Sequence, residues 1–290
     1  MKILLAGCGD IGQRTATQLI EHGSAEYQCF GLRREPDELP STISPIAGDM
    51  SDADQLARIL DQQFDVVVVT LTPDSFTERA YRDAYLAGAK ALAAAIDQVS
   101  SKPKLVLWVS STSVYGNNRG EWVDEASATM PESFSGRVLL EAEQVIKGLP
   151  CAYSIVRFSG IYGPGRLRML TQVRNGKGRP AEPQQWSNRI HAEDCAGVLA
   201  HLIAQFVDGS SLDPVYLGTD CEPVTQHDLR NWLAGQLGVE LKDEIVSQKS
   251  IRRCSNKRLL QTGYKFLYPS YKEGYLSLID TQKLNDGSDN

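Results

Sequence analysis

A chain of 290 residues with 42% apolar and 23% charged residues has the composition of a globular protein, with room for one large α/β unit or two unequal domains. Its net charge of −6 argues against a general nucleic-acid binder, which would be basic. Six scattered cysteines without a C-x-x-C pair, and four dispersed histidines, argue against a disulfide framework or a metal centre. Reduced thiols in a cytoplasmic protein are the simple expectation. No run approaches the roughly 18 apolar residues of a membrane span, so no membrane partner is expected. Leu5-Ala6-Gly7-Cys8 has the look of a lipoprotein cleavage box, but a signal peptide needs an apolar region of about 7–15 residues before it.

The N-terminal stretch Lys2–Gly12 reads KILLAGCGDIG. Ile3 to Ala6 form an apolar run suited to a strand buried on both faces. Gly7, Gly9 and Gly12 follow in G-x-G-x-x-G spacing. Thr15, Ala16, Leu19 and Ile20 then recur at helical spacing up to Gly23. Strand, glycine turn and helix together predict a dinucleotide site. Gly7 allows the turn, Gly9 admits the pyrophosphate and Gly12 lets the helix approach the strand. The N–H groups and dipole of the new helix, at Asp10 and Ile11, face the phosphates. A glycine turn without a ligand is the competing reading.

Gln28–Leu32 is the second predicted strand, and Arg33 and Arg34 follow it. NAD-selective sites place an acid about 20 residues beyond the glycines. Arginine there suits a 2′-phosphate, so NADP is expected in preference to NAD. Solvated surface arginines would give the same sequence. Further strands are expected at Ile43–Ala47, Val66–Val69 with Thr70 at its end, Leu105–Val109, Ser154–Phe158 and Val215–Leu217. Ser51 is read as the cap of the helix carrying Leu56, Ile59 and Leu60. Phe76–Val99 is read as one long helix with Ala80, Ala84, Ala87, Ala91 and Ala94 along one side, a candidate dimer face. Ser135–Lys147 is a further helix. Alternating strands and helices imply a doubly wound parallel sheet.

Leu105–Val109 empties into Ser110-Ser111-Thr112-Ser113-Val114-Tyr115-Gly116. Such hydroxyls at the carboxyl end of a parallel strand lie where these sheets bind ligands. From Gly160 the texture changes. Arg166, Arg168, Arg174, Lys177, Arg179 and Arg189 stand against a single acid, Glu182. This local excess suggests a receptor for a phosphate or carboxylate, with a solvated basic loop as the alternative. Thr225 and Asp228 make an [ST]-x-x-[DE] helix start. Gly287–Asn290 is expected to fray.

In this order the segments resemble the short-chain dehydrogenase/reductases, above all the extended and atypical members of the NAD-dependent epimerase/dehydratase family. The carrying residues are the three glycines, Gly48-Asp49-Met50, the Ser110–Gly116 loop, Arg157, Tyr162-Gly163-Pro164-Gly165 and Arg189-Ile190-His191-Ala192-Glu193-Asp194. The resemblance implies a Rossmann-type sheet over 1–159, with 191–218 returning to it. A smaller substrate domain would take 160–190 and 219–290. It implies that Asp49 and Met50 contact adenine and that Ser111 is the catalytic hydroxyl, with Tyr115 and Ser135 as further candidates. Ser113, Arg166, Arg168, Arg189 and His191 are candidate contacts to a small anionic ligand. Family dimers pair through the two long helices.

The departures bear on chemistry. The family carries Y-x-x-x-K on the helix after the hydroxyl loop. The matching positions here are Ser135 and Leu139, and neither replaces a general acid or its supporting charge. An NADP-linked oxidoreductase or epimerase-like enzyme acting on a small anionic or sugar-nucleotide ligand is one expectation. A non-catalytic redox sensor is the other. A β-hydroxyacid dehydrogenase shares the glycine motif, but the late strand and the serine-rich loop count against it.

Overall fold

The computed structural model describes residues 1–22, 26–116, 120–244 and 252–287. Gly23 and residues 288–290 therefore lie outside the described residues. The central feature is a seven-stranded parallel sheet. Its strands are β1 (Lys2–Ala6), β2 (Gln28–Arg33), β3 (Ser44–Ala47), β4 (Val66–Val69), β5 (Leu105–Ser111), β6 (Ala152–Phe158) and β7 (Val215–Gly218). They lie in the order β7-β6-β5-β4-β1-β2-β3. The order reverses between β1 and β4, which pair in register from Ile3↔Val66 to Ala6↔Val69. A ligand crevice opens at such a switch point. β4, and β1 from Ile3 on, are apolar and buried because helices cover both faces, leaving no solvent side for alternation.

The covering helices include α1 (Asp10–His22), α2 (Ala53–Leu60), a helix over 78–98 taken as α3, α4 (Phe134–Lys147) and α5 (Ala192–Val207). Their predicted apolar positions are buried: Leu56, Leu60, Val198, Leu199 and Leu202 are all 1% exposed or less.

Two local expectations are corrected. Ser51 does not cap α2. Asp52 does, accepting from the Gln55 amide at 2.9 Å, because the Ser51 hydroxyl is already donating to the Asp49 carboxylate at 2.8 Å. Residue 76 also lies before the long helix, which starts at Glu78 under a Thr77 cap. Its middle, Arg82–Ala87, is wound as a π-turn. Such a turn shifts the register of everything after it. The alanine stripe does not stay on one side: Ala80, Ala84 and Ala87 are half-buried, whereas beyond the π-turn Ala91 is buried and Ala94 exposed.

The chain divides into two compact units. Unit 1 comprises Met1–Tyr115, Ala128–Arg157 and Cys195–Tyr216; unit 2 comprises Gly116–Ser127, Phe158–Asp194 and Leu217–Asn290. Unit 2 has its own core of Leu170, Val173, Leu229, Leu233, Leu278 and Ile279, from helices Arg168–Arg174, Gln226–Leu237 and Tyr271–Gly287. Thr225 caps the second of these by accepting from the Asp228 amide.

A buried polar network runs through unit 1. Arg157 on β6 donates to both oxygens of Glu143 on α4, at 2.9 and 2.5 Å. Its third nitrogen donates to the Tyr115 hydroxyl at 2.7 Å, and Ser110 donates to Glu143 at 2.7 Å. Glu143 is fully buried and Arg157 3% exposed. Removing one partner of such a pair strands the other charge in the interior. Glu143→Ala should therefore cost about 3–5 kcal/mol, read as a lower urea midpoint. Tyr115→Phe should cost less, about 1.5–3 kcal/mol for one bond to a charged donor.

Candidate functional site

The first candidate site begins at the carboxyl ends of β1, β2 and β4. Gly7 turns the chain at φ +73°, and its amide donates to the Leu32 carbonyl. Thr70 pins the turn from β4, its hydroxyl donating to the Gly7 carbonyl at 3.0 Å. A side chain on Gly12 would meet that same hydroxyl at 3.0 Å, whereas one on Gly9 would meet nothing nearer than 3.8 Å. The three glycines thus divide their work: turn, open approach, and close helix packing. α1 begins at Asp10, so its unpaired amides start directly after the open position.

A cavity of about 690 Å³ adjoins this turn. Gly7, Gly9 and Thr70 line one part of it; Arg33, Arg34, Asp49 and Met50 line another. These are the predicted dinucleotide residues. Asp10, Ile11 and Gly12 are not on its wall. Asp10 pairs with Arg14 at 2.7 Å, one helical turn on, which tempers an acid beside a phosphate site. Ile11 is buried at 7% exposure and Gly12 packs on β4. The Ser51 donors hold the Asp49 carboxyl below its ordinary range. Arg34 is not a bare cation: it forms a two-bond pair with Asp74, at 2.8 and 3.3 Å. Asp74, Asp83 and Ala84 also line the cavity, and no sequence motif marks them. Open space over Gly9, a helix N-terminus and cations at the far wall fit a dinucleotide.

At the end of β5, Ser111 is half-buried and its hydroxyl accepts from the Ser113 amide at 3.2 Å, capping the turn Thr112–Val114. The Ser113 carbonyl lies against Gly136, where a side chain would collide with it. Ser135 is buried and bonded to Ser133 at 3.0 Å; Leu139, one turn on, is also buried. Tyr115 is 1% exposed, with its hydroxyl held by Arg157 and its ring under that guanidinium at 5.0 Å. In this geometry Tyr115 packs beside the turn with its hydroxyl engaged, the structural role open to this candidate alongside a catalytic one.

The second candidate site belongs to unit 2. A cavity of about 520 Å³ is lined by five arginines and by no carboxylate. Arg166, Arg168 and Arg189 are the predicted ones; Arg179 was part of the basic stretch, and Arg230 was not singled out. Tyr162 and Tyr275 also line it, their rings stacked at 4.4 Å. Arg230 is 3% exposed and donates only to neutral oxygens, Lys177 O and Gln172 Oε1. Burial, then Arg179 and Arg189, push it down to about 10. His191 is 2% exposed between Tyr162 and Tyr268, and its Nδ1 accepts from the Glu193 amide. It is a helix-start residue enclosed by rings and does not line this cavity. Asp194 beside it accepts from the Leu267 and Tyr268 amides and the Tyr264 hydroxyl.

Fold and site define an NAD(P)-binding protein of the Rossmann type. A family model described as NAD(P)H-binding matches residues 7–205. The structure is similar to that of a Methylobacillus flagellatus protein classed as an NAD-dependent epimerase/dehydratase, at 34% identity, TM-score 0.81, and coverage of 97% of this chain and 98% of that one. The chain belongs to the NAD-dependent epimerase/dehydratase family. At 20% identity, where the likeness is one of fold, stand two further structures. One is the Bacillus cereus UDP-glucuronic acid 4-epimerase with UDP-glucuronic acid and NAD (TM-score 0.78; 94% and 96% covered). The other is the human epimerase family protein SDR39U1 with NADPH (TM-score 0.73; 93% and 96% covered). No curated sequence matches the chain. Among the described residues no helix is long and apolar enough to cross a membrane.

Asp220, 2% exposed, accepts from the Glu222 amide at 3.3 Å. Burial pushes its carboxyl up to about 8, against the pull of Arg189 and with the help of Glu222 and Asp194. The folded chain therefore keeps a proton that the unfolded chain releases near pH 4. Stability must fall as pH rises from about 4 to about 8. Asp220→Asn should abolish that fall. Calorimetric melting above pH 8 should give the variant the higher Tm, by about 2–4 °C for each kcal/mol.

Proposed function

We propose that the chain is an NADP-linked oxidoreductase or epimerase-like enzyme acting on a small anionic ligand. The observation that carries this is the pairing, in one cavity, of a glycine turn open at Gly9 with Arg33 and Arg34 on the far wall. An acid would occupy that wall in an NAD-selective site. Bound NADP supplies hydride transfer; the chain's residues bind, orient and protonate around it. In this reading Gly7, Gly9 and the α1 amides take the pyrophosphate. Asp49 and Met50 take the adenine. Arg33 takes the 2′-phosphate, with Arg34 shared between that phosphate and Asp74. Ser111 orients the reacting hydroxyl or carbonyl. Arg166, Arg168 and Arg189 receive the ligand's charge. We further propose a homodimer through the 78–98 helix and α4, where Phe76, Tyr81 and Phe134 form a ring cluster with Phe76 73% exposed.

One charge-assisted contact is worth about 1.5–3 kcal/mol. NADP should therefore bind about tenfold or more tightly than NAD, and Arg33→Asp should reverse the order. Asp74→Ala releases Arg34 from an exposed pair worth at most about 1 kcal/mol. That change should tighten NADP a few-fold and leave NAD unmoved. Equal calorimetric affinities for the two cofactors would sink the assignment of Arg33.

Ser135 and Leu139 stand where a proton donor and its cation are expected, so turnover should be slow. A positioned general acid is worth about 10²–10⁴ in rate. A substrate screen following nicotinamide absorbance, with product analysis for redox-neutral epimerisation, should find weak activity. Ser111→Ala should abolish it, and Ser135→Tyr with Leu139→Lys should raise it. NADP binding with no turnover on any substrate class would leave the sensor reading in place of the enzyme.

A further inference from the structure

The arginine cavity of unit 2 has a charge imbalance. Of its five guanidinium groups, Arg179 faces Glu244 at 3.4 Å. Arg168, Arg189 and Arg230 face no carboxylate within ion-pair distance among the described residues. Arg230 is the most telling of these, because it is buried on a helix of unit 2's own core with no carboxylate at ion-pair distance among the described residues, Glu244 acting on it only from farther off. A buried charge without a counter-charge costs several kcal/mol, so a fold does not retain one idly. Four further donors have no partner among the described residues: Arg189 Nε, Arg230 Nε, and the hydroxyls of Tyr162 and Tyr275. All four residues line the one cavity. Tyr162 is 2% exposed and Tyr275 fully buried, so bulk water does not satisfy them. These atoms are themselves enclosed, the Tyr162 hydroxyl against Gly274, so it is the wall of guanidinium groups without a carboxylate among the described residues that describes the inverse of an anion.

The count of charges and the nature of the walls narrow the class. Arg230 is buried, Arg189 half-buried and Arg168 exposed at the rim, so an occupant with a single negative charge would answer Arg230 and leave the other two to solvent. Among the described residues the walls offer no platform for a nucleobase. The two aromatic rings are stacked on each other, and Tyr162 also takes the edge of His191. The remaining apolar lining is Ile161 and Met169, and three glutamines complete a polar wall. Base recognition uses free ring faces or apolar slots.

We propose that this cavity binds a compact polyanion with two charged groups, and no nucleotide, seating one group between Arg189 and Arg230 and the other at Arg168. This deepens the reading of a small anionic ligand given above by naming its class, and it does not depend on turnover. The shared chemistry is a pair of anionic groups a few bonds apart, whether phosphates or carboxylates.

The test is titration calorimetry on the full chain without cofactor, at fixed ionic strength, with pyrophosphate, citrate, inorganic phosphate and UDP as probes. Pyrophosphate or citrate should bind about tenfold or more tightly than phosphate, and the tighter of the two tells a phosphorylated occupant from a polycarboxylate. UDP should bind no better than pyrophosphate. Arg230→Gln should abolish binding of the better probe. Because that buried change risks the fold, Arg168→Gln at the exposed rim is the paired variant, and it should weaken binding about tenfold with an unchanged Tm. No binding by either polyanion would overturn the proposal. So would an affinity indifferent to Arg168→Gln, or UDP binding tenfold more tightly than pyrophosphate. Polyanion binding by a chain that turns over nothing would sink the enzyme reading and leave this site standing. Turnover without polyanion binding would do the reverse.

Discussion

Arg157 and Glu143 meet where water does not reach, and the architecture of the hydroxyl loop follows from that pair. A guanidinium inside a sheet is tolerated only with its donors met. Here β6 supplies the cation, α4 the carboxylate, and β5 with its following turn supplies Ser110 and Tyr115. The four side chains fix the strand end, the turn and the helix to one another in unit 1. Ser111 and Ser113 lie between two of these anchored residues. Their positions are thus set by a buried charge network and by the absence of a side chain at Gly136. The pair explains why Arg157 and Tyr115 recur in the motif set without either lining the dinucleotide cavity.

The glycine turn obeys a different constraint, that of backbone proximity. Thr70 reaches across from β4 to the Gly7 carbonyl, and the same hydroxyl marks how near α1 approaches at Gly12. One side chain therefore gauges both the turn and the helix. With Gly9 left open, the amides of α1 are presented without obstruction. Asp10 would oppose an anion there, and its pairing with Arg14 spreads that charge along the exposed flank of α1.

What the sequence made legible depended on how local the physics was. The strand, glycine turn and helix at the N-terminus are written in eleven consecutive residues, and the structure has them in place. Arg33 and Arg34 were readable because they stand at the carboxyl end of β2, and Asp49 and Met50 because the family resemblance implies them; all four line the cavity. The π-turn at Arg82–Ala87 was not readable, since its residues are ordinary helix formers and the bulge comes from packing. The cap of α2 was misread because Ser51 and Asp52 are equally good caps by type. Only the claim of Asp49 on the Ser51 hydroxyl decides between them. The arginine cavity was half legible. Arg166, Arg168 and Arg189 stood out as a basic run. Arg230 lies on a helix among polar neighbours, where a lone arginine reads as a solvated face. Its burial is created by Lys177, Gln172 and Tyr275, residues far from it in the chain.

Electrostatics then separates the two candidate sites by kind. The dinucleotide cavity mixes acids and cations: Asp74 holds Arg34 and Ser51 holds Asp49, while Arg33 on the same lining has no carboxylate at ion-pair distance among the described residues. In the arginine cavity of unit 2 the answer is missing for Arg168, Arg189 and Arg230. Asp220, an acid that bears on Arg189, is pushed toward its neutral form by its own burial. A chain with net charge −6 has ample carboxylates to neutralise three arginines. That none is placed there means the counter-charge is left for a ligand to bring.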